Sequence, residues 1–170
     1  MTTHSVVKSL VVLLLLVLCA GYALGQAPPP ASNYLTPIGP AISLETAKKA
    51  ATAALAETRK NGWLMVAAVV DPNGTLVYYE KLDNTQLGSA DVAIDKARSA
   101  ALYKRPTKVL QDALAGGGVG LRVLALRGAD PVEGGLPIIV NGKLIGAIGL
   151  SGDTSEHDGL CAAAGLAAIK

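Results

Sequence analysis

Residues 134–152 read GGLPIIVNGKLIGAIGLSG. Apolar runs flank Asn141-Gly142 on both sides and predict two β-strands joined by a two-residue type I′ turn, because both central residues of that turn need positive φ. Gly146 and Gly149 fall inside the second strand. Glycine weakens a strand interior, and it often marks a bulge or a place where another backbone or a flat ligand comes close. The stretch therefore predicts a hairpin and a site of close approach.

From residue 43 onwards the chain alternates between helical and strand patterns. Ser43 is the expected N-cap of the first helix, and Ser155 with Asp158 has the spacing of a cap for the last one. A glycine run over 116–120 predicts a flexible connection. Helices are expected over 43–62, 89–103, 107–114 and 155–168, and strands over 64–70, 75–82, 121–126 and in the closing hairpin. This order predicts a single α+β domain over residues 43–170, with helices against an antiparallel sheet.

The first 25 residues have the pattern of a secretory signal peptide. The apolar run over 10–18 is short for a membrane span, which needs roughly 20 residues, and small residues at Ala23 and Gly25 predict cleavage after Gly25. An uncleaved anchor and lipidation at Cys19 are the alternatives. We therefore expect an exported protein, periplasmic or extracellular, with no membrane segment once the leader is removed.

Residues 26–42 are rich in proline and predict an extended linker between leader and domain. Loss of the leader lowers the formal net charge from +2 to +1, because it holds one lysine and no acidic residue. This balance argues against a nucleic-acid-binding protein, which carries a clustered basic surface. Cys161 is then the single cysteine, so no intramolecular disulfide can form and we expect a buried apolar residue there.

His157 is the single histidine that remains after leader removal. A stable metal site needs three or four ligands and a catalytic triad needs a nucleophile and an orienting partner, which one histidine and one cysteine do not supply. A single axial bond to haem iron needs only one such residue. An exposed histidine in the first turn of the last helix is the simpler interpretation, and both stay open.

A cationic cluster lies between the second helix and the segment that follows it. Its members are Lys96, Arg98, Lys104, Arg105 and Lys108, with Tyr103 and Thr107 between them. Lysine and arginine pair well with carboxylates, so the cluster could seat a ligand with two acidic groups. A solvated helix face is the ordinary alternative.

Several short motifs occur together in this order: Val69-Val70-Asp71 with Gly74, Asp95-Lys96-Ala97, Lys104-Arg105-Pro106-Thr107, Gly134-Gly135-Leu136-Pro137, Gly146-Ala147-Ile148-Gly149-Leu150-Ser151-Gly152 and Glu156-His157-Asp158. In their order and spacing they resemble the GlcG/HbpS-like haem-binding family, to which the C-terminal domain of PduO also belongs. The resemblance covers nearly all of residues 43–170. It implies a profilin-like α+β domain with a five-stranded antiparallel sheet flanked by helices, and assembly into homo-oligomers.

The same resemblance implies haem as the cofactor. It places Thr107 close to haem and lets Lys104 or Arg105 face the propionates, with Tyr103 and His157 as further candidate ligands. The PduO-type domain uses a histidine on its first helix as an iron ligand, and this chain has none over 43–62. Many relatives carry glutamine at the position of His157, so the family does not identify it as the ligand.

Three functions follow as hypotheses. The first is an exported, oligomeric haem-binding protein for haem or iron sensing, sequestration or slow haem degradation, without enzymatic turnover as its main role. The second is a binding module or enzyme for a small organic acid of glycolate-type metabolism, suggested by the glycine-lined turn. The third is a structural accessory domain that only oligomerises.

Overall fold

The computed structural model of the protein describes residues 35–169. Its helices are α1 Leu44–Lys60, α2 Ser89–Tyr103, α3 Thr107–Ala115 and α4 Ser155–Ala167, with a 3₁₀ helix over Gly118–Ala125, and its strands are β1 Val66–Val70, β2 Leu76–Lys81, β3 Gly135–Val140 and β4 Lys143–Ser151. The expected leader and the first part of the expected linker lie outside the described residues, so both stay predictions. Over 35–169, no helix has the length and hydropathy that crossing a membrane requires.

The strands form one antiparallel sheet in the order β2-β1-β4-β3. At the β3-β4 turn, Asn141 has a φ of 50° and Gly142 a φ of 73°, as a type I′ turn requires. The ladder pairs Ile138 with Gly146 but Ile139 with Leu144, so β4 carries one extra residue there. The predicted hairpin is confirmed, together with a β-bulge beside its first glycine.

The sheet separates two layers of helices that pack in different ways. On one face, α1 and α4 cover large side chains, among them Met65, Val69, Ile138, Ile148 and Leu150. On the other face, α2 covers β1, β3 and β4 through small residues, chiefly Ala68, Ala93, Ala97, Ala100 and Ala147. Because helices lie on both faces, every residue of β1 is buried.

The glycines of β4 allow this close packing. A Cβ at Gly149 would meet the carbonyl oxygen of Ala93 and lie 2.6 Å from the amide nitrogen of Ala97, and one at Gly146 would meet the carbonyl oxygen of Val70. The close approach that the sequence indicates is therefore made by other backbone segments of the domain.

The expected strand over 121–126 is wrong. Gly117 and Gly118 have φ values of 64° and 52°, and the chain from Gly118 onwards forms the 3₁₀ helix, which packs on α3 instead of joining the sheet. A short apolar run has no periodicity that separates a strand from a buried helix. The described sheet has four strands where five were expected, while the α+β class and the flanking helices are confirmed.

The ends of the helices confirm one predicted cap and correct another. Ser43 caps α1 and its Oγ accepts a hydrogen bond from the Thr46 amide at 3.2 Å. For α4 the N-cap is Thr154, whose Oγ1 accepts from the His157 amide at 3.3 Å. Ser155 with Asp158 is therefore not the cap, because the chain turns into the helix one residue earlier.

The segment before α1 is hydrogen-bonded to the domain. The Gly39 amide donates to the carbonyl of Leu144 at 2.7 Å, the Leu144 amide donates to that of Pro37 at 2.9 Å, and the Ile42 amide donates to that of Ile145 at 2.8 Å. Residues 37–42, which the sequence places in the linker, thus extend along the start of β4.

Candidate functional site

An open groove lies between α3 and the 3₁₀ helix. Its volume is about 580 Å³, within the usual range of ligand pockets. Its apolar lining consists of Val109, Leu110, Ala113, Val119, Val123 and Leu126. Leu110 and Val123 are buried, whereas most of the other side chains are exposed. We call this the arginine groove, after Arg105 and Arg122 in its lining.

Three polar side chains complete the lining: Tyr103, Arg105 and Arg122. The Tyr103 hydroxyl donates to the carbonyl of Arg127 at 2.6 Å, and Arg105 Nε donates to the carbonyl of Tyr103 at 3.0 Å. No carboxylate or imidazole is among the lining residues of this groove. Two guanidinium groups in an apolar setting favour a ligand with an apolar body and acidic groups, because arginine pairs with carboxylates in a fixed geometry.

Arg122 and the apolar side chains of the 3₁₀ helix are missing from the sequence-based site prediction. Residues 121–126 were assigned to a strand and Val119 to a flexible connection, so nothing placed them beside Tyr103 and Arg105. The glycine run before them could have indicated this arrangement, since it lets the chain fold back along the helix it has just left.

Thr107 and Lys104 were predicted as site residues. In the described structure, each uses its side chain for a hydrogen bond to the backbone of another segment. Thr107 is fully buried and its Oγ1 accepts from the Gly135 amide at 2.9 Å. Lys104 ends α2 in the left-handed conformation with a φ of 52°, and its Nζ donates to the carbonyl of Thr36 at 2.9 Å. Thr107 thus fixes the start of β3, and Lys104 fixes the segment before α1.

His157 lies apart from the arginine groove, near the end of α1. Its ring stacks on that of Trp63, with centroids 3.9 Å apart and an angle of 13° between the planes. Its Nδ1 is 3.0 Å from Asp153 Oδ2. His157 lies in the first turn of the last helix, as predicted, but it is partly buried where full exposure was expected. The stack on Trp63 ties α4 to the loop before β1.

The cationic cluster expected at the surface divides into buried and exposed members. Lys96 is almost completely buried, and its Nζ lies 2.7 Å from Asp158 Oδ2, itself buried on α4. Burial raises the pKa of Asp158 and outweighs the opposite effect of Lys96. The interpretation of Lys96 as part of a solvated helix face is therefore wrong, because the ion pair joins α2 to α4 at the edge of the sheet.

A second groove of about 530 Å³ lies between the start of α3 and α4. Its lining is Pro106, Lys108, Glu133, Gly134, Gly135, Leu136, Glu156, Gly159, Leu160 and Ala163. Lys108 Nζ is 2.8 Å from Asp112 Oδ1 and 3.9 Å from Glu133 Oε2. Its one cation is therefore surrounded by carboxylates, so this second groove is less suited to an acidic ligand than the arginine groove.

The described residues 35–169 contain no group of three or more histidine, cysteine, aspartate or glutamate side chains that could hold a metal ion. Cys161 is buried, as predicted, and burial raises the pKa of its thiol. Within this part of the chain, the arginine groove is the arrangement best suited to a small-molecule ligand.

Fold and groove together define a small α+β domain with an open groove between two helices, outside its core. Comparison with known proteins identifies the family of this domain. The sequence profile of the family described as "Haem degrading protein HbpS-like" matches residues 42–167. Protein GlcG of Escherichia coli is 33% identical over 110 residues, covering 65% of this chain and 81% of GlcG.

Two solved structures support the same assignment. A double mutant of HbpS from Streptomyces reticuli has a TM-score of 0.72 and 30% identity, covering 86% of this chain and 99% of the other. The PduOC–haem complex has a TM-score of 0.70 and 28% identity, covering 76% of this chain and 96% of the other. The chain belongs to the HbpS-like family.

Proposed function

We propose that this protein binds haem in the arginine groove. The observation that carries the proposal is the lining itself, in which apolar side chains surround two arginines and a tyrosine without a carboxylate. Haem is flat, apolar and carries two propionates, so its chemistry matches this set of residues. The haem bound in PduOC supports the same ligand class.

The residues of the groove fit haem in distinct ways. Arg105 and Arg122 would pair with the propionates, and the exposed side chains of Val109, Val119 and Leu126 would contact the porphyrin. Tyr103 is the one lining residue whose side chain can serve as an axial ligand, since a tyrosine phenolate ligates haem iron in catalase. Bound haem would supply a redox-active iron, and slow haem breakdown by that iron is the finer proposal.

Titration with hemin tests the binding. The expected result is a shifted Soret band that saturates, and a spectrum unchanged by excess hemin contradicts the proposal. Tyr103→Phe should alter the position of the band if Tyr103 is the axial ligand. His157→Gln and Thr107→Val serve as comparisons, because neither residue lines the groove. A change of the spectrum confined to the His157 variant would indicate that haem binds near His157 instead.

Small organic acids are the second candidate ligands, because the same two guanidinium groups also suit a simple carboxylate. A bound ligand raises the melting temperature by mass action. Glycolate-type hydroxyacids should leave the melting temperature of this protein unchanged while hemin raises it. Stabilisation by hydroxyacids alone would favour the second candidate over haem.

We further propose that the protein is exported and that it self-associates. The leader pattern over 1–25 supports the first part, and the family resemblance supports the second. The intact mass of the protein recovered from the producing cells should correspond to a chain that begins at Gln26. Sedimentation velocity then measures the mass of the particle it forms.

A further inference from the structure

The 3₁₀ helix is attached to the domain less firmly than the other elements. Among the helices and strands of the described chain, only α3 packs extensively against it. Val123 is its one buried residue. A 3₁₀ helix longer than three or four residues is uncommon because its hydrogen bonds are poorly aligned. Displacing these eight residues therefore breaks few favourable contacts.

Glycines with positive φ stand at both ends of this element. Gly117 precedes it with a φ of 64°, its first residue Gly118 has a φ of 52°, and Gly128 follows it with a φ of 68°. A Cβ placed at Gly117 or Gly118 would meet no atom within 4 Å, so close packing does not require glycine there. Glycine absorbs large changes of φ and ψ at little cost. Residues 117–128, which we call the flap, thus have a hinge at each end.

The flap presents apolar side chains to solvent. Val119 is 75% exposed, Leu124 69% and Leu121 54%. Exposed apolar side chains that cluster in one segment are typical of interaction surfaces and of ligand-binding grooves. Arg122 lies between these residues and lines the arginine groove. The flap therefore contributes an apolar side chain, Val119, and a cation to the groove, and it exposes Leu121 and Leu124 beside them.

We propose that the flap closes over a ligand in the arginine groove and that Arg122 is a specificity-determining residue, the second anion-binding group opposite the fixed Arg105. The inference rests on the proposed function and deepens it. Arg105 belongs to the connection between α2 and α3, both packed helices, whereas Arg122 moves with the flap. A ligand with two acidic groups can engage both arginines and hold the flap closed, and a ligand without acidic groups cannot.

The first part of the test measures affinity. Arg122→Gln should weaken hemin binding roughly tenfold to a hundredfold, the effect of losing one charge-assisted hydrogen bond. Arg127→Gln is the matched control, because Arg127 is also exposed at the flap but does not line the groove. The dimethyl ester of hemin, which lacks both acids, should bind weakly and equally to the wild type and the Arg122 variant.

The second part measures motion by hydrogen exchange with mass spectrometry. Peptides covering 117–128 should exchange fast in the free protein and become protected when hemin is bound, while peptides of α1 change little. Two results would overturn the proposal that the flap closes over the ligand and leave the proposed function intact. They are hemin binding with unaltered exchange of the flap, and an Arg122→Gln variant that binds hemin like the wild type. Absence of hemin binding to the wild type overturns both.

In the alternative arrangement, a second copy of the chain covers the exposed apolar side chains of the flap. In that case the free protein would show a protected flap, and Leu124→Ser would shift the sedimentation coefficient without weakening hemin binding. This result also overturns the proposal. If the flap is a lid, Leu124→Ser should weaken hemin binding and leave sedimentation unchanged.

Discussion

Two glycine-rich stretches of this chain have opposite mechanical roles. In β4, a Cβ at Gly149 would collide with the backbone of α2, so glycine there permits tight packing. In the 116–120 run, Gly117 and Gly118 have open space around them and positive φ, so glycine there permits rotation. Gly120 differs from these two, since its Cβ would meet the carbonyl of Ala113. Composition alone does not separate the two roles, because the neighbouring atoms decide between them.

The largest expected effect is in the tightly packed region, at the buried ion pair. Asp158→Ala leaves the Lys96 ammonium buried without its carboxylate, so we expect the free energy of unfolding to fall by about 3–5 kcal/mol. Urea denaturation followed by circular dichroism measures it. Asp112→Ala is the matched control, because it removes the carboxylate of the exposed ion pair with Lys108. It should have a far smaller effect.

The double variant Lys96→Met/Asp158→Leu sharpens the same comparison. Replacing both charges by apolar groups removes the desolvation cost, so this variant should recover most of the stability that Asp158→Ala loses. A double variant as unstable as the single one would mean that the charges are needed for more than mutual compensation.

The next effect concerns the glycines directly. Gly149→Ala forces a Cβ against Ala93 and Ala97, and overpacking of this kind typically costs about 1–3 kcal/mol. Gly116→Ala is the control, since its φ is −69° and its nearest contact would be 3.5 Å away. The two variants should differ clearly in denaturant midpoint. Equal midpoints would mean that close packing does not require glycine at position 149.

Side chains of the flap should matter little to global stability. Leu124→Ser changes an exposed residue, so the free energy of unfolding should shift by less than about 0.5 kcal/mol. Leu150→Ser changes a fully buried residue of β4 and should be strongly destabilising. A large effect of the Leu124 variant on the unfolding of the monomer would show that the flap is part of the core.

The smallest effect is a pH dependence just after the flap, where Asp130 meets α2. Burial raises the pKa of Asp130 above its usual 3.8, and its amide donates to Ser99 Oγ at 3.0 Å. The folded protein therefore binds this proton more tightly than the unfolded chain, so the stabilising contribution is present below 3.8 and is lost as the pH rises through the folded pKa. Asp130→Asn should be more favourable, relative to the wild type, at about pH 7 than at about pH 3.5. Denaturant midpoints at both pH values measure it, and parallel changes in the two proteins would contradict it.

Much of the fold could be predicted from the sequence because local patterns agree with it. Asn141-Gly142 specified the hairpin turn, and Ser43 specified the start of α1. The prediction of a third strand was wrong because the apolar residues over 121–126 follow neither the period of a strand nor that of a helix. The burial of Lys96 could not be foreseen either, since its partner Asp158 lies 62 residues away along the chain.

The candidate site was predicted in part. The sequence indicated Tyr103 and Arg105, which line the groove, but it also proposed Thr107, Lys104 and His157, which lie outside its lining in the described structure. Arg122 was missed because it joins the groove through a chain reversal. Such a reversal depends on how the glycines of the run turn, and their composition does not determine that.

Blocking each groove in turn tests the central claim most directly. Ala113 and Ala163 are both exposed alanines on helices, and they line the arginine groove and the second groove respectively. Tryptophan at either position should fill its groove without disturbing the core. In hemin titrations, Ala113→Trp should abolish the shifted Soret band while Ala163→Trp retains it with the affinity of the wild type. Retention in Ala113→Trp with loss in Ala163→Trp would contradict the account and place the ligand between α3 and α4.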